Sequence, residues 1–186
     1  MGTNNAINNF VTAGNATLLQ SETASNDATL DFIEGFSSDY NSYVFEFDDV
    51  QISTPDDDQF IFKVSTNGGT TWDSGTNYTS VLMGYNNVGG LNFVAPNATA
   101  GAINTSDAYF TREGVYGQMK FYGLSQTTRP KRALIESTWG DLAGNVCYCT
   151  GTVWYTVAST TIVNGVQFLF VSGNILSGTI RMFGVS

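Results

Sequence analysis

The sequence predicts an all-β protein, an antiparallel β-sandwich preceded by an extended N-terminal arm. Three observations favour this fold. Apolar and polar residues alternate through most of residues 28–186, the chain has 20 glycines but only 3 prolines, and no segment combines helical spacing with length and caps. Alternation is the pattern of strands with one buried face, and tight turns rich in glycine connect such strands. We therefore expect about eight to ten strands in two packed sheets.

The first segment, residues 1–27, is interpreted as an arm. It is rich in Asn, Thr and Ala, and Asn together with Gly14 disfavours a helix, so neighbouring groups would have to order it. Its apolar residues are predicted to anchor the domain to a larger partner: Ile7, Phe10, Val11, Leu18 and Leu19. The total length of 186 residues suits one domain, so residues 28–186 are assigned to a single β-sandwich.

Period-two alternation predicts each strand of the first half of the sandwich. Leu30 and Phe32 mark the first strand, and Tyr43, Phe45 and Phe47 mark the second. A third strand is predicted over residues 59–65 and a fourth over 76–85, returning on the far side of a hairpin turn. Residues 86–107 are predicted to be a long loop with one short strand at 91–94, and loops of this length are often functional.

The second half of the chain predicts five more strands. Three of them span residues 117–124, 132–139 and 145–158. The chain then closes with a predicted hairpin, in which strands over 165–171 and 178–185 flank a turn over 172–177.

The charge distribution indicates which kinds of molecule the protein is expected to bind. The net charge is -9, and the first 62 residues hold eleven of the sixteen acids and no Lys or Arg, so nucleic-acid binding is not expected. One interpretation of this asymmetry is a solvated acidic face. The other is an acidic strand face that meets the basic loop of Arg129, Lys131 and Arg132 across a subunit boundary. No apolar run approaches the roughly 20 residues of a membrane span, and the N-terminus lacks a secretory signal.

Residue types also limit the chemistry. The chain has no histidine, which excludes Ser-His-Asp triads and histidine-bearing zinc sites, and it has no phosphate-binding glycine loop. Cys147 and Cys149 alternate on a strand and are interpreted as core residues. The aspartates at 48–49 and 56–58 are interpreted as a solvated turn or a weak calcium site, although their spacing matches no EF-hand. We expect no catalytic residue, no cofactor and no resident metal.

The segment Ser65–Trp72, STNGGTTW, resembles the Asp box of sialidases and related β-propellers, with Asn67 where that family has Asp. The resemblance implies a structural turn: Asn67 accepts hydrogen bonds from turn amides, Gly68 or Gly69 adopts a left-handed conformation, and Trp72 packs beneath. In that family the box lies away from the catalytic centre. The chain has a single box and no recognisable arginine cluster, so the resemblance does not extend to sialidase activity.

Aromatic residues around this turn are the predicted ligand-binding groups. Trp72, Tyr78 and Tyr85 flank the turn, and Trp139, Trp154 and Tyr155 lie at strand positions further along. One interpretation is that these residues bind a ligand, because aromatic faces bind sugar rings. The other interpretation is that they pack in the core or in a subunit interface.

Four stretches carry a second resemblance: ATLDFIEGFSSDYNSYVFEFDDV, FKVSTNGGTTWDSGTNY, GQMKFYGL and VNGVQFLFVSGNILSGTIRMFGVS. They resemble jelly-roll-like β-sandwich domains in structural proteins of tailed bacteriophages, such as tail-fibre tips. This resemblance implies a non-enzymatic homotrimer that contacts other virion proteins on the particle surface and recognises a host glycan or protein. The alternatives are a capsid decoration or head-fibre protein bound to the major capsid protein, and a carbohydrate-binding module without a virion.

Overall fold

The computed structural model describes residues 15–54, 58–87, 89–105, 114–140, 144–158 and 160–186. Within these ranges the protein contains strands and turns and no helix, and every strand pairing is antiparallel, which confirms the predicted β-sandwich. The strands are β1 (Ala16–Thr23), β2 (Leu30–Phe32), β3 (Ser42–Ile52), β4 (Phe60–Ser65), β5 (Tyr78–Asn86), β6 (Gly89–Ala98), β7 (Gly101–Ala102), β8 (Val115–Tyr122), β9 (Lys131–Gly140), β10 (Val146–Tyr155), β11 (Gly165–Phe170) and β12 (Ile175–Val185).

The strand order is that of a jelly roll with two insertions. The large sheet has the order β1-β12-β3-β8-β9-β10-β5-β6, and the small sheet has the order β2-β11-β4-β7. When the β5–β6 and β9–β10 hairpins are set aside, the remaining eight strands alternate between the sheets along the chain except at β4 and β7, which both lie in the small sheet. They also pair from the outside inwards: β1 with β12, β2 with β11, β3 with β8 and β4 with β7. This is the wrapping that defines a jelly roll.

Both inserted hairpins extend the same sheet. The β9–β10 hairpin adds to β8, and the β5–β6 hairpin adds to β10, so the large sheet becomes twice as wide as the small one. Alternate residues of β9, β10 and β5 are buried on the inner side, as Ile135, Val153 and Leu82 show. The opposite side of this eight-stranded sheet faces away from the small sheet.

Aromatic rings hold the two sheets together. Phe168 of β11 has its ring centroid 5.2 Å from that of Phe45 and 5.4 Å from that of Phe47, both on the facing strand β3. Within the small sheet it also contacts Phe32 at 5.7 Å and Phe60 at 5.9 Å. Edge-to-face and offset contacts of this kind add to the hydrophobic stabilisation of burial. The sequence alternation correctly placed these side chains inside.

The second half of the predicted arm belongs to the sandwich. Residues 16–23 form β1 and pair with β12 along its length, so the domain begins before residue 28. Leu19 packs against the core, whereas Leu18 is 54% exposed on the opposite face of the strand. The predicted anchor residues Ile7, Phe10 and Val11 lie outside the described residues.

Two predicted hairpins are in fact connections between sheets. β4 lies in the small sheet and β5 in the large sheet, and the same is true of β11 and β12, so neither pair of consecutive strands is hydrogen-bonded together. Alternation shows which face of a strand is buried. It does not show which strand pairs with it, because strand pairing in a jelly roll joins segments that are distant in the sequence. The short strand predicted at 91–94 is present within the longer β6, and together β6 and β7 replace about half of the loop predicted over 86–107.

Candidate functional site

The turn over residues 65–72 has the predicted structural geometry. Oδ1 of Asn67 accepts hydrogen bonds from the Ser65 hydroxyl at 2.8 Å and from the Thr71 amide at 3.0 Å. Gly68 and Gly69 have φ values of 65° and 81°, in the left-handed region that favours glycine. Asn67 bonds only within the turn, and the Gly68 amide donates to Oδ1 of Asn164 at 2.8 Å, which ties the turn to the segment before β11 and agrees with its interpretation as a structural element.

Trp72 and Tyr78, two of the three predicted ligand-binding residues, serve the packing beneath this turn. The Trp72 ring is half-buried against Gly165, since a Cβ placed on that glycine would lie 3.2 Å from Cζ3 of the tryptophan. Tyr78 is fully buried, and its hydroxyl accepts a hydrogen bond from the Val64 amide at 3.0 Å. The prediction for Tyr78 was wrong because its strand position faces inwards.

The predicted ligand trio does not assemble. Tyr85 is exposed, but it lies seven residues from Tyr78 along β5, which places it about 23 Å away and on the opposite face of the sheet. Trp72 belongs to the Tyr78 end of this strand, because the Asp73 backbone carbonyl accepts a 3.3 Å hydrogen bond from the Tyr78 hydroxyl. No single ligand pocket can include all three side chains.

A polar network beside Trp72 makes stability depend on pH. Burial alone raises the pKa of the Asp73 carboxylate, but hydrogen bonds from Tyr155, Asn77 and the Gly75 amide outweigh it, and the pKa lies below its usual value. A lowered folded-state pKa stabilises the fold above the unfolded-state value of about 3.9, and this contribution is lost as the pH falls through the folded-state pKa.

Asp73→Asn is therefore expected to be destabilising near neutral pH and to lose most of that effect in acid. Urea unfolding of both proteins at neutral pH and about one unit below the unfolded-state pKa measures the difference. An Asp73→Asn effect of the same size at both pH values would contradict the role given to this carboxylate.

The predicted basic cluster is divided between two roles. Lys131 is buried, its ammonium donates to the carbonyl of Gln126 and, at 3.1 Å, to that of Arg129, and burial lowers its pKa. It therefore braces the loop before β9 and cannot reach another subunit, which corrects its inter-subunit assignment. Arg129 and Arg132 are both exposed.

Exposed apolar side chains are concentrated on one surface, the side of the large sheet that faces away from the small sheet. We call this surface the outer face. Ten large apolar side chains of β1, β5, β8, β9 and β10 lie exposed on it: Leu18, Val81, Met83, Tyr85, Tyr116, Tyr122, Leu134, Val146, Tyr148 and Trp154. An exposed apolar surface of this extent is typical of a binding surface.

One end of the outer face carries an open cleft of about 470 Å³, which we call the tyrosine cleft. Strand register places a polar row beside an aromatic row: Arg181, Glu46, Gln118 and Glu136 are successive cross-strand neighbours. In the adjacent row Thr138 separates Tyr116 from Tyr148, so the two tyrosines are two strand spacings, or about 10 Å, apart.

Charged groups in the tyrosine cleft are held by their neighbours. The Tyr148 hydroxyl donates to Oε1 of Glu136 at 3.0 Å, and Nη1 of Arg181 lies 3.2 Å from Oδ2 of Asp48. Partial burial raises the pKa of the Glu46 carboxylate, Arg181 opposes this increase and Asp48 adds to it. The cleft thus offers carboxylate acceptors, guanidinium and amide donors, and two ring faces, a set that suits the hydroxyl groups of a sugar.

Backbone contact shapes the floor of this cleft. Gly117 of β8 has a φ of 140°, and a Cβ on it would lie only 2.2 Å from the carbonyl oxygen of Glu136. Only glycine at this position allows β8 and β9 to approach this closely. Its neighbours in the sequence, Tyr116 and Gln118, both point to the outer face.

The other end of the outer face carries a second depression of about 460 Å³, which we call the tryptophan groove. Its lining residues are Tyr122, Arg132, Leu134, Thr152 and Trp154. The Arg132 guanidinium carbon lies 3.9 Å from the centre of the Trp154 ring, and the Lys120 ammonium lies 5.3 Å from the centre of the Tyr122 ring. Tyr122, Arg132 and Trp154 are successive cross-strand neighbours, so aromatic and cationic side chains alternate across the groove.

The described residues include part of the acidic segment and both cysteines. No group of three or more Asp, Glu or Cys side chains there could hold a metal ion. Asp49 and Asp58 of the acidic segment accept hydrogen bonds within the fold, whereas Asp56 and Asp57 lie outside the described residues. Cys147 and Cys149 are buried free thiols, and burial raises the pKa of Cys149 to about 12. None of the described segments forms a helix long and apolar enough to cross a membrane.

The structure brings together a set of residues that the sequence did not single out as a site. Comparison with known proteins does not name this surface. No protein-family model, curated protein or solved structure matches the chain. Of the aromatic residues highlighted by sequence, Trp154 lies on the outer face, whereas Trp139 and Tyr155 are buried. The sequence signal that could have found this surface is the alternation of residues along β8. Even-numbered positions lie on the outer face and odd-numbered positions face inwards: Tyr116, Gln118, Lys120 and Tyr122 are opposite buried Val115, Met119 and Phe121.

Proposed function

We propose that the protein is a non-enzymatic recognition domain that binds a host-surface carbohydrate through the outer face of its large sheet. The observation that carries this proposal is the tyrosine cleft, where Tyr116 and Tyr148 stand beside a row of hydrogen-bonding side chains. Tyr148 is 40% exposed, so its ring is accessible to a ligand. Rings bind the apolar faces of sugars, and the polar row satisfies their hydroxyl groups.

The proposed setting is the surface of a tailed-phage virion, as a trimeric tail-fibre or adhesin component. Support comes from the four stretches that resemble such proteins and from the jelly-roll strand order, which occurs in viral capsid and lectin domains. A shared fold is an analogy and does not assign a function, so the binding surface carries the argument. Display in many copies would raise weak single-site binding by about 10²–10⁴ through avidity.

Binding of the purified chain to an array of bacterial capsule and lipopolysaccharide oligosaccharides tests the recognition role. We expect binding to a subset of these glycans, and competition by the free oligosaccharide. A chain that binds neither the array nor intact bacteria would contradict the proposed function. Product release from a bound glycan would contradict its non-enzymatic character.

The virion setting has a separate test. The chain should co-sediment with purified phage particles at a copy number near that of other tail proteins, and light scattering should give the mass of a trimer. A copy number near that of the major capsid protein would favour the capsid alternative. A chain absent from particles would leave a carbohydrate-binding module without a virion.

A further inference from the structure

The tryptophan groove has the features of a site for an anionic group. The Arg132 guanidinium lies over the Trp154 ring, and stacking of this kind leaves the N–H groups at the edge of the guanidinium directed sideways, where they can bind a carboxylate with two hydrogen bonds. Within the described parts of the chain, the one salt bridge joins Arg181 to Asp48 and does not involve Arg132.

Charge sets this groove apart from the rest of the molecule. The chain carries a net charge of -9, yet Arg132 and Lys120 lie together at this end of the outer face. Acidic side chains of the outer face are found at the opposite end, in and beside the tyrosine cleft, where Glu46, Asp48 and Glu136 lie. The outer face is thus polarised along its strands.

The two depressions are connected by shared strands. Tyr116 and Tyr122 are six residues apart on β8, and Tyr148 and Trp154 are six residues apart on β10, so the two ends lie about 20 Å apart along parallel lines. β9, which lies between these strands, contributes Glu136 to one end and Arg132 to the other. An extended polymer that follows the strands contacts both depressions.

We propose that the tryptophan groove is a second subsite, in which Arg132 and Trp154 bind a carboxylated sugar of an acidic polysaccharide whose neutral sugars occupy the tyrosine cleft. This inference rests on the proposed function and names the class of glycan. Trp154, 45% exposed, supplies a stacking surface, and Arg132 supplies the charge-assisted hydrogen bonds.

A nucleic acid fits the outer face less well. Its backbone carries a charge at every unit, so a strand that lies along both depressions would place phosphates beside Glu46, Asp48 and Glu136. A polysaccharide with a carboxylate on some units and none on others matches the polarity of the surface. Charge complementarity therefore favours the acidic glycan.

The test compares two ligands and two matched variants. The ligands are hexuronate-containing capsule oligosaccharides from the array and the same oligosaccharides after reduction of their carboxyl groups to alcohols. Arg132→Gln removes the proposed contact, and Arg129→Gln removes the same charge from an exposed loop position outside the groove. We expect Arg132→Gln to weaken binding of the acidic ligand about tenfold and to leave binding of the reduced ligand unchanged.

Further readouts separate the outcomes. Added salt should weaken binding of the acidic ligand to the unaltered chain and have little effect on the reduced ligand. Equal affinity of the unaltered chain for both ligands would overturn the subsite while the proposed function stands, and this comparison needs no variant. Binding of neither ligand, with no other glycan bound, would remove both. Tighter binding of single-stranded DNA, lost in Arg132→Gln, would replace the glycan with a nucleic acid.

Discussion

Replacing Phe168 with alanine is expected to lower the free energy of unfolding by about 3–5 kcal/mol. The side chain is fully buried, and its ring contacts four other phenylalanine rings drawn from both sheets. Truncation leaves a cavity at the place where the sheets meet, and the neighbouring rings belong to paired strands that cannot move together to fill it. Urea unfolding followed by fluorescence measures the loss.

Leu176→Ala provides the control, because this leucine is exposed at the start of β12. Its effect should stay within about 0.5 kcal/mol. If Phe168→Ala were no more destabilising than Leu176→Ala, the aromatic cluster would not be what joins the two sheets.

The second large effect concerns binding. The double variant Tyr148→Ala and Trp154→Ala is expected to weaken binding of an acidic capsule oligosaccharide about 100-fold, as the product of about tenfold for each single change. The two rings lie at opposite ends of the outer face, and effects of distant, independent contacts with one ligand add as free energies. Titration calorimetry or biolayer interferometry provides the affinities.

Val171→Ala is a matched control for this variant, since Val171 is exposed in a turn away from the outer face. Its affinity should equal that of the unaltered chain. Equal affinities for the double variant and either single variant would show that the ligand contacts one end alone. Melting temperatures of the variants should stay close to that of the unaltered chain, because both side chains are exposed.

The sequence predicted the core more accurately than the connections. Tyr43, Phe45 and Phe47 alternate with polar residues, and all three point into the sandwich as expected. Alternation succeeds here because burial of one strand face is a local property of the chain. Alternation does not specify which strands pair with each other. For this reason the predicted hairpins at 66–75 and 172–177 proved to be connections that cross from one sheet to the other.

The candidate site was harder to predict for the same reason. Tyr78 and Tyr85 are separated by an odd number of positions on one strand, so parity alone places them on opposite faces. Parity also places Tyr116 with Tyr122 and Tyr148 with Trp154. What parity cannot show is that β8, β9 and β10 are neighbours, and this adjacency depends on an inserted hairpin whose place in the large sheet is set by tertiary packing.

Hydroxyl-radical footprinting, with and without the tightest-binding oligosaccharide of the array, tests most directly whether the outer face is the binding surface. The account predicts that bound glycan protects Tyr116, Tyr148 and Trp154 from oxidation and leaves the exposed side chain of Val171 unchanged. Protection of Trp72 with no change at Tyr148 or Trp154 would contradict it, because the ligand would then occupy the turn over residues 65–72.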